Sequence, residues 1–333
     1  MRNMKNEKNI INSDTNVKVS VIIPVHNSEK YISQCIDSVI GQNINETEII
    51  CVDDNSNDES YNILKKYAEL DPRIKVLKND TCLCAGICRN IGLEASTGEY
   101  VLFLDSDDWL VNSSLIKLYM TAKKFDSDVI RCKAIDFDDK TGCFNFSAHN
   151  ALKKVPFFLF NKPLDYFKYY MFFSKICVAP WGGLFKRDFL IKEGIRFNSL
   201  KCVNDRSFYW SSIVKAKKIV FSNECLINYR TNLGTSLIGS RIKNFDCHFR
   251  SYELVYKASS AVPPKMRRNI LNAEMFDMAH WLEKSAGTEY YDDIVEMMSE
   301  FLHDMDKTIW NNIKRCGWYG RMVRLIPDIE EFK

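Results

Sequence analysis

Between residues 18 and 132, apolar runs of strand length alternate with stretches of helical period, and no other feature narrows the fold as far. Val19–Val25 is a β-branched apolar run with Pro24 near its end. Ser28 then opens a helical pattern whose apolar face is Tyr31, Ile32, Cys35, Ile36, Val39 and Ile40, closed by Gly41. Glu48–Val52 reads as the next strand. Asp58 is placed to cap a helix through Leu70, and Asp71-Pro72 stops it. Ile74–Leu77, Ala85–Ala95 and Tyr100–Leu104 continue as strand, helix and strand. Ser113 or Ser114 caps another helix, and Val129–Cys132 is a further strand. Such an order predicts an α/β fold: a mostly parallel sheet covered by helices.

The rest of the chain is less regular. Residues 133–176 are rich in aromatics, and those between Phe157 and Phe173 read as core or cleft lining. Residues 178–230 hold short apolar segments around Trp181-Gly182-Gly183, a helix-like KRDFLIKEG and a strand-like KKIVF at 217–221. Beyond about residue 240 the pattern is helical. The polar first sixteen residues read as a flexible arm without a signal peptide's apolar core. A length of 333 residues leaves room for a second unit. Lys and Arg number 46 against 43 Asp and Glu, and this near-balance argues against a dedicated nucleic-acid binder. The twelve cysteines form no C-x-x-C pair, and the Cys82, Cys84, Cys88 spacing fits no zinc pattern. They are expected to be reduced thiols of a cytosolic protein.

In an open α/β sheet, ligands bind outside the carboxyl ends of the strands. Strand one ends in Pro24-Val25-His26-Asn27, strand two in Asp53-Asp54-Asn55-Ser56, and strand four in Asp105-Ser106-Asp107-Asp108. Three carboxylates within four residues repel one another. They suit a hard divalent cation, Mg2+ or Mn2+, completed by water and substrate phosphates. A solvated turn that caps the next helix is the competing reading. Asp53-Asp54 suits ribose hydroxyls or a base N–H, or again a turn. Neither G-x-G-x-x-G nor G-x-x-x-x-G-K-[ST] occurs, so any phosphates must be held by metal and side chains.

The ordered blocks VSVIIPVHN, EIICVDDNSNDES and AGICRNIGLEASTGEYVLFLDSDDWL closely resemble family-2 glycosyltransferases of the GT-A fold. Those enzymes carry P-x-[YH]-N, V-D-D-x-S-x-D, G-x-x-x-A-R-N-x-G and D-x-D motifs. The match spans residues 19–110. It continues more weakly through VAPWGGLFKRDFL, KCVNDRSFYW and NYRTNLGTSL. The resemblance implies an inverting, metal-dependent transfer from a nucleoside-diphosphate sugar, UDP-linked, to a saccharide or lipid-linked acceptor in surface glycan synthesis. It implies a nucleotide and donor pocket of Pro24, His26, Asn27, Asp53, Asp54, Arg89 and Asp105, with Asp107 on Mn2+ or Mg2+. Asp205 is implied as general base, Trp181 as acceptor-pocket wall, and Arg230, with Tyr229 and Ser236, as a clamp on the diphosphate. Residues 17–230 are then the GT-A domain and 231–333 a helical appendage. Its basic and aromatic residues at 307–326 suit an anionic membrane surface or a packed helix equally, so the expected location is cytoplasmic, with peripheral contact at the inner face of the membrane.

Three positions depart from the family pattern. Cys88 replaces a common alanine, Gly183 a lysine and Asn204 the usual glutamate, leaving Asp205 alone of an acidic pair. Two other readings stay open, a non-catalytic sugar-nucleotide-binding paralogue and a sugar nucleotidyltransferase. The missing glycine-rich phosphate loop speaks against the second.

Overall fold

The computed structural model describes residues 17–145, 152, 155–173, 178–233, 243–305, 307, 311, 319, 323 and 324. The first half runs β1 (Val19–Val25), α1 (Ile32–Ile40), β2 (Thr47–Asp53), α2 (Ser60–Leu70), β3 (Ile74–Lys78), α3 (Ala85–Ala95), β4 (Tyr100–Phe103), β5 (Trp109–Leu110) and α4 (Ser114–Phe125). There follow β6 (Val129–Asp138), β7 (Cys143–Asn145), β8 (Pro163–Leu164), α5 (Tyr166–Phe173), β9 (Gly183–Lys186), α6 (Arg187–Lys192), α7 (Asp205–Lys215) and β10 (Ile219–Thr231). Helices α8 (Phe245–Ala258), α9 (Pro264–Ser285) and α10 (Tyr291–Asp304) come last.

The strands form one sheet in the order β3-β2-β1-β4-β9-β6-β10-β5. β1 pairs in parallel with β2 and β4, and β2 with β3, as the alternating pattern requires. β9 breaks the parallel run. It arrives from far along the chain and lies antiparallel between β4 and β6. Side chains alternate across the sheet with period two. Val19, Val21, Ile23 and Val25 join the core under α1 and α4, while Ile22 faces the other core with Cys88 and Leu93 of α3. Both faces being buried explains why β1 and β2 read as nearly unbroken apolar runs.

Four local expectations change. Gly41 ends α1 at φ −75°, so it supplies no left-handed cap. Neither Ser113 nor Ser114 caps α4; the Gln42 side chain reaches across and its Oε1 accepts from the Leu115 N–H (3.1 Å). The strand expected at 217–221 runs to Thr231, bulged where polar Ser222-Asn223-Glu224 interrupts the apolar pattern. The aromatics at 157–173 divide: Tyr166 and Phe173 are core, but Phe157, Phe158 and Phe167 are exposed.

Helices α8–α10 bury their own cluster around Tyr252, Met278 and Phe301. They are also continuous with the body that carries the sheet, because Val255 and Ile270 share a core with Phe208, Tyr209 and Trp210 of α7. No described helix is long and apolar enough to cross a membrane. Most of the 307–326 segment, Ser236 and the 234–242 stretch near the start of the expected appendage lie outside the described residues. Tyr319 and Val323, which are described, pack against the α8–α10 cluster.

Gly183 shows why the family's lysine is absent here. A Cβ at this position would fall 1.8 Å from the Ile130 carbonyl oxygen, because β9 presses directly on β6. Gly183→Ala is therefore expected to destabilise the fold by at least the ~1–3 kcal/mol typical of overpacking. Thermal unfolding measures it, and a midpoint equal to wild type would remove this account of the β9–β6 contact.

Candidate active site

The carboxyl ends of β1, β2 and β4 meet on one edge, cross-linked by their own loops. His26 Nδ1 donates to the Asp54 carbonyl (2.8 Å) and Asn27 Nδ2 donates to His26 Nε2 (3.3 Å). This pair of bonds sets the neutral tautomer with its proton on Nδ1. Asn27, at φ +49°, accepts from the Asn57 N–H through Oδ1 (2.8 Å) and donates its own N–H to Ser56 Oγ (3.1 Å). His26 and Asn27 are exposed on this edge, while Pro24 is buried in β1 behind them.

Asp54 is spoken for by the loop before α3. Its oxygens accept from the Leu83 and Cys84 N–H groups and from Asn79 Nδ2, each at 2.8 Å. Burial works against the charge, but these hydrogen bonds outweigh it and hold the carboxyl below its usual range. Asp53, by contrast, has a buried Oδ1 with no partner among the described residues. Of the two acids, Asp53 therefore keeps the unused acceptor and Asp54 organises the loop.

The tip after β4 is crowded. Burial first, and the Asp105 charge second, push Asp107 from 3.8 up to about 6. Asp108 is pushed well above the usual range by burial and by both neighbours. Its Oδ1 accepts from the Arg230 N–H (2.8 Å), and its buried Oδ2 has no partner among the described residues. An all-oxygen donor set under this repulsion fits a hard cation. No group of three or more His, Cys, Asp or Glu among the described residues makes a cage by itself. The fit is thus to a cation sharing one or two carboxylates with substrate phosphates, the habit of Mg2+ and Mn2+.

Arg89 joins this tip to the other wall. It projects from α3, 6% exposed, and donates to Asp105 Oδ1 (2.5 Å) and Asn204 Oδ1 (2.9 Å). α3 approaches closely enough only because residue 86 is glycine: a Cβ there would lie 2.4 Å from the Asn198 carbonyl oxygen. Asn204 precedes Asp205, the first residue of α7. Burial pushes the Asp205 carboxyl up, and the positive charges of Arg89 and Arg206 pull it back. A partly exposed carboxyl and an acidic tip therefore face one buried guanidinium.

Two expected residues sit differently. Arg230 points inward, 7% exposed, and its guanidinium binds Asp139 Oδ1 (2.6 Å), Gln34 Oε1 (2.5 Å) and the Asp107 carbonyl (2.9 Å). It also lies over the rings of Tyr31 and Trp109. With its donors so occupied, Arg230 braces the tip from behind instead of standing free as a clamp. Trp181 is 4% exposed and stacked on Tyr229 (5.0 Å between centroids), which leaves it little surface to offer an acceptor. The sequence reading missed the supports: Gln34, Asp139 and Asn79 carry no motif and find their partners only in three dimensions.

The profile of Glycosyl transferase family 2 matches residues 20–190. Glycosyltransferase GlyA of Streptococcus pneumoniae is 30% identical over 226 residues, 66% of this chain but only 31% of GlyA. A poly(ribitol-phosphate) beta-glucosyltransferase of Bacillus spizizenii is 32% identical over 210 residues, covering 62% of this chain and 31% of that protein. This chain thus spans about a third of the length of both. The crystal structure of Staphylococcus aureus TarS 1–349 in complex with UDP-GlcNAc superposes with a TM-score of 0.73 at 20% identity, covering 95% of this chain and 89% of that one. The blocks that hold the strand-end site lie within the matched profile, and the chain belongs to glycosyl transferase family 2.

Proposed function

We propose that the protein transfers a sugar, with inversion, from a UDP-sugar to a hydroxyl of a saccharide or lipid-linked glycan of the cell surface. The observation that carries this reading is Arg89, which brings Asp105 of the acidic tip and the Asn204-Asp205 turn to a single guanidinium. UDP-GlcNAc in TarS and the poly(ribitol-phosphate) named for the Bacillus relative support the donor and acceptor classes. In this reading residues 17–230 are the catalytic domain and 231–333 its helical appendage, and the protein acts in the cytoplasm.

Each residue then has a task. His26, Asn27 and the unused Asp53 oxygen receive the nucleoside, over a floor that includes Pro24. Asp54 keeps the 79–84 loop in place beside it. Arg89 and Asp105 address the sugar and diphosphate, and Arg230 keeps the tip rigid. Asp107 would hold Mn2+ or Mg2+, which supplies Lewis-acid neutralisation of the leaving diphosphate. The acceptor oxygen attacks the anomeric carbon opposite the diphosphate. Asp205 takes its proton, and the bond from the anomeric carbon to the diphosphate oxygen breaks with its electron pair left on the diphosphate. Positive charge develops at the anomeric carbon, as in glycoside hydrolysis. Asp205 suits the role of base because burial raises its pKa while the charges of Arg89 and Arg206 limit the rise.

Asp205→Asn keeps the shape and removes the basicity. Turnover is expected to fall by roughly 10²–10⁴, with UDP affinity by calorimetry nearly unchanged. Wild-type transfer by the variant would rule Asp205 out, and equal loss of UDP binding would move it into the nucleotide site. A nucleotide-release screen across UDP-sugars identifies the donor for these assays.

The metal reading has its own signature. A raised Asp107 must lose its proton to ligate, so Mn2+ affinity in the presence of UDP should fall about tenfold per pH unit below about 6. The same shift works against the fold. A carboxyl raised above its unfolded value of 3.8 costs stability at neutral pH, and that cost disappears as pH falls through about 6 towards 4. Asp107→Asn should therefore unfold no earlier than wild type without metal, yet lose Mn2+-dependent UDP binding and transfer. Full activity in excess EDTA would contradict the metal site.

A further inference from the structure

We infer that the C-terminal helices are part of the catalytic machinery: Ser251 of α8 and Glu274 of α9 act as positioning residues that hold the Val203–Asp205 turn. The inference rests on the reading of Asp205 as base. Val203 sits at φ +58°, a left-handed conformation that a β-branched residue strongly disfavours. Such a residue persists only where its surroundings over-determine it, and this happens mostly at functional sites. Here the brace comes from α8, where Ser251 Oγ donates to the Val203 carbonyl (3.2 Å).

The first turn of α7 is gripped by α9. Arg206 donates to Glu274 Oε2 and Asp277 Oδ2, both at 2.6 Å, and lies over the Tyr252 ring of α8. Trp210, one turn on and on the same face, donates Nε1 to Glu274 Oε1 (2.8 Å). Glu274, almost wholly buried, thus holds both ends of the first turn of α7. Among the described residues no side chain hydrogen-bonds the Asp205 carboxyl itself, so its aim is set by this turn and this helix end. An apolar contact would dock the helices equally well. A network of fixed hydrogen-bond directions also fixes the rotation of α7 about its axis, and with it the direction of Asp205.

The test uses the full chain, Mn2+ and the UDP-sugar giving the fastest UDP release. Ser251→Ala and Glu274→Gln should each lower kcat about 10–100-fold, the effect of a misplaced catalytic group, with UDP affinity and donor KM unchanged. Ser251→Thr retains the hydroxyl and should restore turnover. Asn accepts the left-handed region readily, so in a Val203→Asn background the cost of Ser251→Ala should largely vanish. A folded Ser251→Ala protein with wild-type kcat overturns the proposal, as does a loss of equal size in the Val203→Asn background. Asp205→Asn, assayed beside them, separates the two readings: wild-type turnover there removes the base, whereas its loss beside unaffected Ser251→Ala and Glu274→Gln removes only the positioning role.

Discussion

A buried arginine that bridges two distant pieces of chain organises this site. Arg89 lies on α3, Asp105 ends the β4 segment sixteen residues on, and Asn204 lies 115 residues away. An unpaired guanidinium buried at this depth would be strongly unfavourable, so the two walls of the cleft must meet for the charge to be satisfied. The geometry of the cleft is thereby tied to the folding of the domain itself. Gly86 is the steric condition for this meeting, since any side chain there would strike the 198 carbonyl and Asn204.

The acidic tip shows the opposite balance. Asp107 and Asp108 repel each other and Asp105, and burial worsens the repulsion. Part of the relief comes from Arg230, whose backbone N–H and guanidinium bind Asp108 and the Asp107 carbonyl. The remainder is uncompensated among the described residues, where the buried Asp108 Oδ2 has no partner. Strain of this kind is tolerated where function uses it, and is set against the compact cores on both faces of the sheet.

The parallel half of the fold was legible because both faces of β1 and β2 are buried and their apolar runs are nearly unbroken. The strand-end residues could be placed for the same reason: strand ends are visible in the pattern, and loops follow them. What escaped is long-range. β9 inserts antiparallel between β4 and β6 through a four-residue segment with no pattern of its own. Arg230 read as a free cation because Gln34 and Asp139, its partners, lie 196 and 91 residues away. Glu274 gave no signal either, as a single acid on a helix is ordinary until Arg206 and Trp210 are seen beside it.

Asn204, the most conspicuous departure from the family pattern, takes on a physical meaning in this frame. The amide preserves the hydrogen bond to Arg89 and donates its own N–H to the Leu200 carbonyl (3.3 Å), so the cleft wall keeps its shape. It does not neutralise Arg89. With a glutamate there, Arg89 would be shared between two anions, and a like charge would stand beside Asp205, raising its pKa further. The neutral amide leaves the field of Arg89 to Asp105 and Asp205, where it offsets burial. In the proposed role of single base, Asp205 is thereby spared a like charge that would raise its pKa further.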